Sequence, residues 1–474
     1  MWPQGKWQVL LLLAILINLQ STVQSHGGPF QLPRVHQIIQ QGRDYGDPLF
    51  LTPYLEQGMA EKARTLSEVH LPGTTINSYS GYLTVNKTYS SNMFFWFFPA
   101  LSDPESAPLL LFLQGGPGTS SMLGLFSEMG PFYVTKDAQL MMRKVTWVSQ
   151  YSMLFIDNPV GTGFSFTESD AGYARNQTDV ADNLYNALLQ FFQIYSQYQK
   201  NDFYVTGESY AGKYVPALSY KIHMENPTAK FKINFKGMAI GDGLCDPLTQ
   251  YAKLPEFLYH IGLADESQRL RIGVFVDIFG AQIVEEDFVG AFKTFETMLL
   301  GNMSYFYNIT GSNDHYNYLR SEEPALKGYY MDYLSLPEVR KAIHVGNLTF
   351  HNGSDVQRYL LAPDFLKSVK PWVATIMESY KVLIYNGQLD IIVGAPLTEN
   401  FLWSLPWSRL EQYQTADRTV WKINPSDTEV AGFVKQVDNF YQVIVKGAGH
   451  ILPFDQPERA YDMIDRFVSG RGFQ

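Results

Sequence analysis

The segment Phe203-Tyr-Val-Thr-Gly-Glu-Ser-Tyr-Ala-Gly-Lys-Tyr-Val-Pro216 places a serine between a short apolar run and a helix-compatible stretch. The run Phe203–Val205 predicts a strand, and strand–turn–helix is the context in which a sharp turn lifts a serine Oγ out of the backbone as a nucleophile. Gly207 and Ala211 are small, as such a turn requires, because it brings strand and helix close together. Gly-x-Ser alone is most often a surface turn, so partners elsewhere must decide whether Ser209 is a nucleophile.

The N-terminus has the pattern of a secretory signal peptide. Lys6 precedes an apolar run over residues 9–19, and small residues follow before His26. This run is too short to span a bilayer, and no later run reaches that length without charges or glycines. We therefore predict a signal peptide over residues 1–25, a propeptide-like arm over 26–46 and no membrane span.

Glycosylation motifs agree with export. Six Asn-x-Ser/Thr sequons are present, at Asn86, Asn176, Asn302, Asn308, Asn347 and Asn352. The single cysteine, Cys245, rules out an intramolecular disulfide, so the fold must be stabilised by its core. The prediction is a glycoprotein of the secretory pathway, extracellular or lysosomal/endosomal. Cys245 is predicted to be buried and inert, and the alternative is that it pairs between chains.

Charge and motifs exclude several functions. The formal net charge is −10, and no basic stripe is available for nucleic acid. No His-Glu-x-x-His or paired-cysteine spacing supports a zinc site. Gly115-Gly-Pro-Gly118 lacks the Gly-Lys-Ser/Thr of a phosphate-binding loop. We expect no metal and no organic cofactor.

Apolar runs and helical periodicities alternate along most of the chain, which predicts an α/β protein with a mostly parallel sheet. The predicted strands are Ser80–Val85, Met93–Phe98, Pro108–Leu113, Ser152–Ile156, Phe203–Val205, Phe235–Ile240, Lys381–Tyr385 and Phe440–Val445. A helix is predicted over Asp179–Gln199 with Thr178 or Asp179 as N-cap. Helical patterns followed by a Tyr- and Asn-rich loop predict an inserted cap over 244–330, which divides a core of residues 47–243 and 331–474.

Two residues that follow Ser209 along the chain, an aspartate and a histidine, are candidates for the other members of a catalytic triad. Asp390 follows the predicted strand that ends near Asn386, and His450 follows another strand and a Gly-Ala-Gly loop. An imidazole can remove the serine proton, and a buried acid can hold that imidazole in the right tautomer. Three such residues at strand ends, in this order, predict a nucleophilic triad of Ser209, Asp390 and His450.

Two other features extend this site. Backbone N–H groups of Gly115 or Gly116, together with that of Tyr210, are suited to stabilise an oxyanion; the alternative is a plain tight turn. A carboxylate at Glu208 would repel a substrate carboxylate unless it shares a proton with a second acid. Such a pair would bind a terminal carboxylate at acidic pH, and the alternative is that Glu208 points to solvent.

Together, five motifs resemble the serine carboxypeptidases and look closest to the vitellogenic carboxypeptidase-like branch. They are Gln114-Gly-Gly-Pro-Gly118, Asp157-Asn-Pro-Val-Gly-Thr-Gly-Phe-Ser165, Gly207-Glu-Ser-Tyr-Ala-Gly212, Gly241-Asp-Gly243 and Gly447-Ala-Gly-His450. The resemblance runs from about Tyr45 to Phe473. It implies an α/β-hydrolase fold with a helical cap, and the same triad of Ser209, Asp390 and His450.

The resemblance also implies roles for the surrounding residues. It assigns the oxyanion donors to Gly116 and Tyr210, and the terminal-carboxylate site to Gln114, Gly115, Glu208 and Glu128. The chain departs from the family at Gln114, where asparagine is usual, at Phe112, where tryptophan is frequent, and at Thr119, which replaces a cysteine. The Gln114 side chain keeps the amide chemistry but moves it by one methylene.

The expected function is hydrolysis of the C-terminal peptide bond of peptides or proteins through an acyl-enzyme at acidic pH. Two alternatives remain at this point: acyl transfer by the same triad to an acceptor other than water, and a binding or protective protein that kept the fold. A homodimer is also left open.

Overall fold

The structure, a computed structural model, describes residues 42–324 and 328–473. The predicted signal peptide and residues 26–41 of the predicted arm lie outside this range. The last part of the arm, residues 42–46, is described and contains no helix or strand.

The described residues contain fifteen strands, the longer of which are rich in β-branched and aromatic residues or leucine. In chain order they are β1 Glu68–Val69, β2 Ser78–Asn86, β3 Ser91–Phe98, β4 Leu109–Leu113, β5 Phe132–Val134, β6 Leu140–Met142, β7 Ser152–Ile156, β8 Thr162–Gly163, β9 Phe203–Glu208, β10 Phe235–Gly241, β11 His351–Asn352, β12 Lys381–Gly387, β13 Thr419–Trp421, β14 Gly432–Val437 and β15 Phe440–Val445. All eight predicted strands are confirmed, and β2 and β3 pair as an antiparallel hairpin.

Eleven of these strands form one sheet in the order β1-β2-β3-β7-β4-β9-β10-β12-β15-β14-β13. The six central strands, from β7 to β15, pair in parallel. The strands on either side of them pair antiparallel. Because parallel strands share one carboxyl edge, the loops that follow β4, β9, β10, β12 and β15 converge there.

Helices cover both faces of the central sheet, which is why its strands read as unbroken apolar runs. Every residue of β4 is buried. On β9, Phe203 packs against Phe192 of one helix, with ring centroids 5.7 Å apart. Its neighbour Tyr204 points to the opposite face and packs against Phe467 of another, at 5.7 Å.

The described helices connect these strands and build the cap. They span Thr52–Glu56, Ala60–Leu66, Gln177–Ile194, Ala211–Glu225, Pro247–Tyr251, Leu254–His260, Glu266–Val284, Phe288–Leu299, Tyr305–Thr310, Tyr329–Ser335, Pro337–Ala342, Ser354–Asp364, Lys370–Met377, Ala395–Trp403, Leu410–Thr415, Leu452–Asp455 and Pro457–Ser469. A π-helical turn spans Gly124–Glu128, and short 3₁₀ turns lie at Trp147–Ser149, Asp170–Gly172 and Ser196–Tyr198.

The predicted N-cap of the helix Gln177–Ile194 is wrong by two or three residues. Asn176 has extended backbone, and its side chain accepts a hydrogen bond from the Asp179 N–H at 2.9 Å. The helix therefore begins at Gln177, whose buried side chain donates to Asp364 at 2.6 Å. That tertiary contact holds the first turn in place.

The helical patterns predicted within residues 244–330 form the helices Leu254–His260, Glu266–Val284 and Phe288–Leu299, and the segment predicted as a loop contains the short helix Tyr305–Thr310. Aromatic side chains join these helices: Tyr251 packs on Phe279 at 5.8 Å and on Phe295 at 4.9 Å. Phe292 in turn packs on Phe365, which follows the helix Ser354–Asp364, at 5.4 Å. The boundaries of the cap at residues 244 and 330 stay a prediction.

Candidate active site

Ser209 stands at the turn between β9 and the helix Ala211–Glu225, with a φ of 65° that non-glycine residues rarely adopt. The turn is held by the Ser209 N–H, which donates to the Gly241 carbonyl at 2.9 Å. A Cβ at Gly207 would lie 2.7 Å from the Leu113 carbonyl and 2.8 Å from Ala211 Cβ. The small residues are therefore required by packing, and the predicted elbow geometry is present.

The structure brings Ser209, His450 and Asp390 together at the carboxyl ends of β9, β15 and β12. His450 Nε2 lies 2.7 Å from Ser209 Oγ, and His450 Nδ1 lies 2.9 Å from an Asp390 carboxylate oxygen. Both His450 and Asp390 are buried, while Ser209 is partly exposed. An imidazole between a hydroxyl and a carboxylate can take the hydroxyl proton, and its own positive charge is then stabilised by the acid.

A loop of the predicted cap contacts the two loops that carry Asp390 and His450. The sequence did not predict this contact. The backbone N–H of His450 donates a hydrogen bond to the Tyr316 carbonyl at 2.7 Å. The Tyr316 ring stacks on the His450 imidazole, with ring centroids 4.7 Å apart. The neighbouring His315 carbonyl accepts hydrogen bonds from the backbone N–H groups of Ile391 and Ile392, each at 3.1 Å. These two residues directly follow Asp390. No local pattern marks these residues, because their role depends on the cap folding back over the sheet edge.

The glycine loop after β4 lies against the elbow. A Cβ at Gly115 would come within 2.5 Å of Tyr210 N and 2.7 Å of Ser209 Cβ. Gly116 has a φ of 110°, a left-handed conformation that glycine adopts without strain. The Tyr210 hydroxyl donates to Asp364 at 3.0 Å, which fixes the residue whose N–H follows the serine. The loop backbone and the Tyr210 N–H therefore border one small space beside Ser209.

Glu208 and Glu128 are both fully buried, so the reading in which Glu208 points to solvent is wrong. Gln114 Nε2 donates to Glu208 Oε1 at 3.2 Å. The Tyr385 phenol lies among the acids of this region. Its pKa is raised well above its ordinary value, first by burial and then by nearby negative charges, those of Glu208, Asp242 and Glu128.

Asp242 forms a compact cluster with the hydrogen-bonded pair of Asp390 and His450. Single ligand atoms of Asp242, Asp390 and His450 all lie within 4.8 Å of one another, so the cluster has the composition of a metal site. Both imidazole nitrogens, however, are already engaged by Ser209 and Asp390. A metal would have to displace one of these bonds, and the arrangement fits proton transfer better than metal binding. The sequence singled out Gly241-Asp-Gly243 without giving Asp242 a role.

The sequon asparagines differ in exposure. Asn302, Asn308, Asn347 and Asn352 are exposed, whereas Asn86 and Asn176 are partly buried. Cys245 is buried, as predicted, and its thiol lies 3.3 Å from the Gly212 carbonyl. Within residues 42–324 and 328–473, no helix combines the length and apolar character needed to cross a bilayer.

A parallel sheet flanked by helices, with a serine elbow and a histidine–acid pair at its carboxyl edge, is the architecture of an α/β-hydrolase. The crystal structure of the Saccharomyces cerevisiae prohormone-processing carboxypeptidase Kex1Δp shares this fold, with a TM-score of 0.75 and 22% identity. The match covers 86% of this chain and 96% of the other. The predicted fold class is confirmed.

The family model described as serine carboxypeptidase, Peptidase S10, matches residues 70–470. The chain is 54% identical over 435 residues to the Homo sapiens protein named "Probable serine carboxypeptidase CPVL", with 91% of each chain covered. It is 48% identical to the Apis mellifera "Venom serine carboxypeptidase", with 94% of this chain and 95% of the other covered. Identity to the Aedes aegypti "Vitellogenic carboxypeptidase" is 42%, with 98% of each covered. This chain belongs to the serine carboxypeptidase family, as its motifs predicted.

Proposed function

We propose that the protein removes the C-terminal amino acid of peptides or proteins, with Ser209 as nucleophile, His450 as general base and Asp390 as the acid that orients His450. The observation that carries this proposal is the continuous hydrogen-bonded line from Ser209 Oγ through both imidazole nitrogens to Asp390. Its setting in a serine carboxypeptidase chain supports the choice of reaction.

In the proposed reaction, Ser209 Oγ attacks the last peptide carbonyl while His450 Nε2 takes the hydroxyl proton. The carbonyl oxygen becomes an oxyanion, and His450 then gives its proton to the leaving amine, which departs as the free C-terminal amino acid. Water, deprotonated by His450, next attacks the acyl-enzyme ester, which releases the shortened peptide and restores the Ser209 hydroxyl. Throughout, the Asp390 carboxylate stabilises the imidazolium that forms twice in each cycle.

The N–H groups of Gly116 and Tyr210 are the proposed donors to the oxyanion. The close approach of the glycine loop to the elbow supports this assignment, since a side chain at Gly115 would meet Tyr210 N. Each such donor, when aimed at the oxyanion and not at the ground-state carbonyl, contributes about 3–4 kcal/mol to lowering the barrier.

Selectivity for a chain end is proposed to come from Gln114, the Gly115 amide and the acids Glu208 and Glu128. Burial of both acids and their common proximity to the Tyr385 phenol support this role, because two buried carboxyl groups that lie close together can share a proton. A shared proton leaves a donor for the substrate carboxylate, whereas two anions would repel it. The proposal therefore includes higher activity at acidic pH.

We also propose that the protein acts in the secretory pathway, outside the cell or in lysosomes or endosomes. The predicted signal peptide and the exposure of four sequon asparagines support this location. A mass decrease after treatment of the secreted protein with an N-glycosidase is the expected result. An unglycosylated product from a eukaryotic host would argue against it. The homodimer is kept as a prediction that sedimentation of the secreted protein tests.

The proposed function is tested by release of free amino acids from blocked dipeptides at pH values from about 4 to 8, which bracket carboxyl and imidazole titration. The full-length protein is expected to release the terminal residue, with higher activity at the acidic end. Ser209→Ala is expected to lower kcat at least about a thousandfold. Full turnover by Ser209→Ala, or no turnover by correctly folded wild type, would contradict the proposal.

A further inference from the structure

Asp242 occupies a restrained position directly after β10. Its φ is 44°, a left-handed backbone that is uncommon outside glycine, and the residue is fully buried. A Cβ on either flanking glycine would clash, at 2.3 Å from the Tyr385 ring for Gly241 and at 2.2 Å from Ile240 for Gly243. The backbone here has little freedom, so the Asp242 side chain is held in one direction.

That direction is toward the loop that carries Asp390. Asp242 Oδ1 accepts from the Gly387 N–H at 2.9 Å and lies 3.4 Å from Asn386 Nδ2. Its Oδ2 is buried, and among the described residues it has no hydrogen-bond donor within reach. An anionic oxygen without a donor is costly to bury, whereas a protonated oxygen needs an acceptor. The Asp390 carboxylate is the acceptor in reach. A carboxyl oxygen of each residue lies within 4.8 Å of the other, and a side-chain hydrogen bond between the two acids is among the causes that raise the pKa of Asp242.

The charges around Asp242 also favour its neutral form. The titratable groups that face it come from three strand ends: Glu208 of β9, Tyr385 of β12 with Asp390 beyond it, and His450 after β15. Burial, followed by the charges of Asp390 and Glu208, raises the pKa of Asp242 well above its ordinary value. Two carboxyl groups in such surroundings hold one proton between them. His450 stabilises the anion on Asp390, so the proton belongs on Asp242.

We propose that Asp242 is a positioning residue whose neutral carboxyl group donates a hydrogen bond to Asp390 and holds that anion against His450. This inference rests on the proposed function of the Ser209–His450–Asp390 line. The hydrogen bond does two things. It fixes the Asp390 side chain, and it spreads part of its negative charge onto Asp242. Without it, Asp390 would be less well placed, and its more concentrated charge would stabilise the imidazolium more strongly.

The test measures the rate at which a fluorophosphonate labels Ser209 as a function of pH. This reagent has no terminal carboxylate, so its rate does not depend on the proposed carboxylate site. Asp242→Asn keeps a neutral donor and is expected to stay within about threefold of wild type, with an unchanged midpoint of the acid limb. Asp242→Ala removes the donor and is expected to be slowed about tenfold or more. Its acid-limb midpoint should move about one pH unit upward.

Asp246→Ala is the matched control, because Asp246 follows the same strand, is buried, and pairs instead with Lys370 at 2.6 Å. It should leave the acid-limb midpoint at the wild-type value. The inference is overturned if Asp242→Ala keeps the wild-type rate or midpoint, or if Asp242→Asn is as slow as Asp242→Ala. An unlabelled wild type would instead overturn the proposed function. Thermal unfolding of each variant identifies one that is not folded. In that case Asp242→Gly, which has no side-chain donor and adopts the positive φ without strain, replaces Asp242→Ala with the same expected shift.

Discussion

Asp157 shows how a single buried acid makes the stability of this protein depend on pH. It follows β7 and is fully buried, and its carboxyl oxygens accept from Ser120 Oγ at 2.5 Å, Ser121 N at 3.1 Å and Phe164 N at 2.8 Å. Burial raises the pKa of Asp157 to about 7, although these three hydrogen bonds act in the opposite direction. The carboxyl group supports the loop that carries Phe164 and Ser165 without contacting the triad.

Because the pKa of Asp157 is higher in the folded chain than its ordinary value of 3.8, the folded state binds a proton here that the unfolded state has released. The stability that this proton provides is present at low pH, falls as the pH rises from about 4 to about 7, and changes no further above that. Asp157→Asn should remove this dependence. It should also be less stable at pH 5, because its amide nitrogen would face a backbone N–H donor.

Urea unfolding of wild type and Asp157→Asn at about pH 5 and pH 7.5 measures the pH-dependent contribution of Asp157 to the free energy of unfolding. The stability difference between the two proteins should shrink at the higher pH. An equal difference at both values would show that Asp157 does not titrate in this window.

The sequence predicts a site residue when the strand before that residue is itself recognisable from the sequence. Ser209, Asp390 and His450 each follow an apolar strand, so topology alone brings them to one sheet edge. The burial of Glu208 and the contact between Asp242 and Asp390 could not be predicted in the same way. They depend on the side chains presented by neighbouring strands, which the residues around each acid do not encode.

At the scale of elements, Asn176 combines two roles in one residue. Its Oδ1 caps the helix Gln177–Ile194 through the Asp179 N–H, and it is also a sequon asparagine whose Nδ2 would carry the glycan. The periodicity of the apolar residues predicted this helix but not its first turn. That turn is held by the contact of Gln177 with Asp364, 187 residues away.

Two substitutions separate these roles in protein made without glycosylation, where only the cap contributes to stability. Asn176→Ala removes cap and sequon and should lower the free energy of unfolding by about 1 kcal/mol. Thr178→Ala removes the sequon alone and should change it little, because the Thr178 side chain is exposed. Urea denaturation measures both, and equal stability of the two variants would show that the cap contributes nothing.

Strands β13 and β14 were missed because they lie at the antiparallel edge of the sheet. Thr419 and Val420 of β13 are exposed, and β14 contains the half-buried Lys435 and the exposed Gln436, so no long apolar run marks either strand. Fully buried strands such as β4 and β7 gave strong signals, because each contains one continuous apolar run. The sequence therefore predicts the centre of this sheet better than its edge.

At the scale of the whole molecule, the cap completes the site. Asp455 connects the cap loop that contains Tyr316 to the loop that carries His450. One of its carboxyl oxygens accepts hydrogen bonds from Gly449 N at 2.8 Å and from Asn317 Nδ2 at 3.0 Å. Its other carboxyl oxygen pairs with Arg320 at 2.6 Å. This arrangement holds Tyr316 stacked on the imidazole. No sequence pattern predicts it, because residues 317 and 455 meet only when sheet and cap are both folded.

Asp455→Ala should therefore slow both peptide turnover and fluorophosphonate labelling by about 10- to 100-fold, since small displacements of a reacting group have effects of this size. Asp465→Ala is the control, because Asp465 bonds Tyr151 and Arg471, away from His450. Labelling of Asp455→Ala at the wild-type rate would show that the cap loop does not position the imidazole.

The proposed function requires that Ser209 removes residues from a free peptide C-terminus. Mass spectrometry of one peptide supplied both as the free acid and as the C-terminal amide tests it most directly, with wild type and Ser209→Ala side by side at acidic pH. Wild type should shorten the acid from its C-terminus one residue at a time and leave the amide largely intact, and Ser209→Ala should shorten neither. Equal processing of acid and amide, internal cleavage, or shortening by Ser209→Ala would contradict the proposed function.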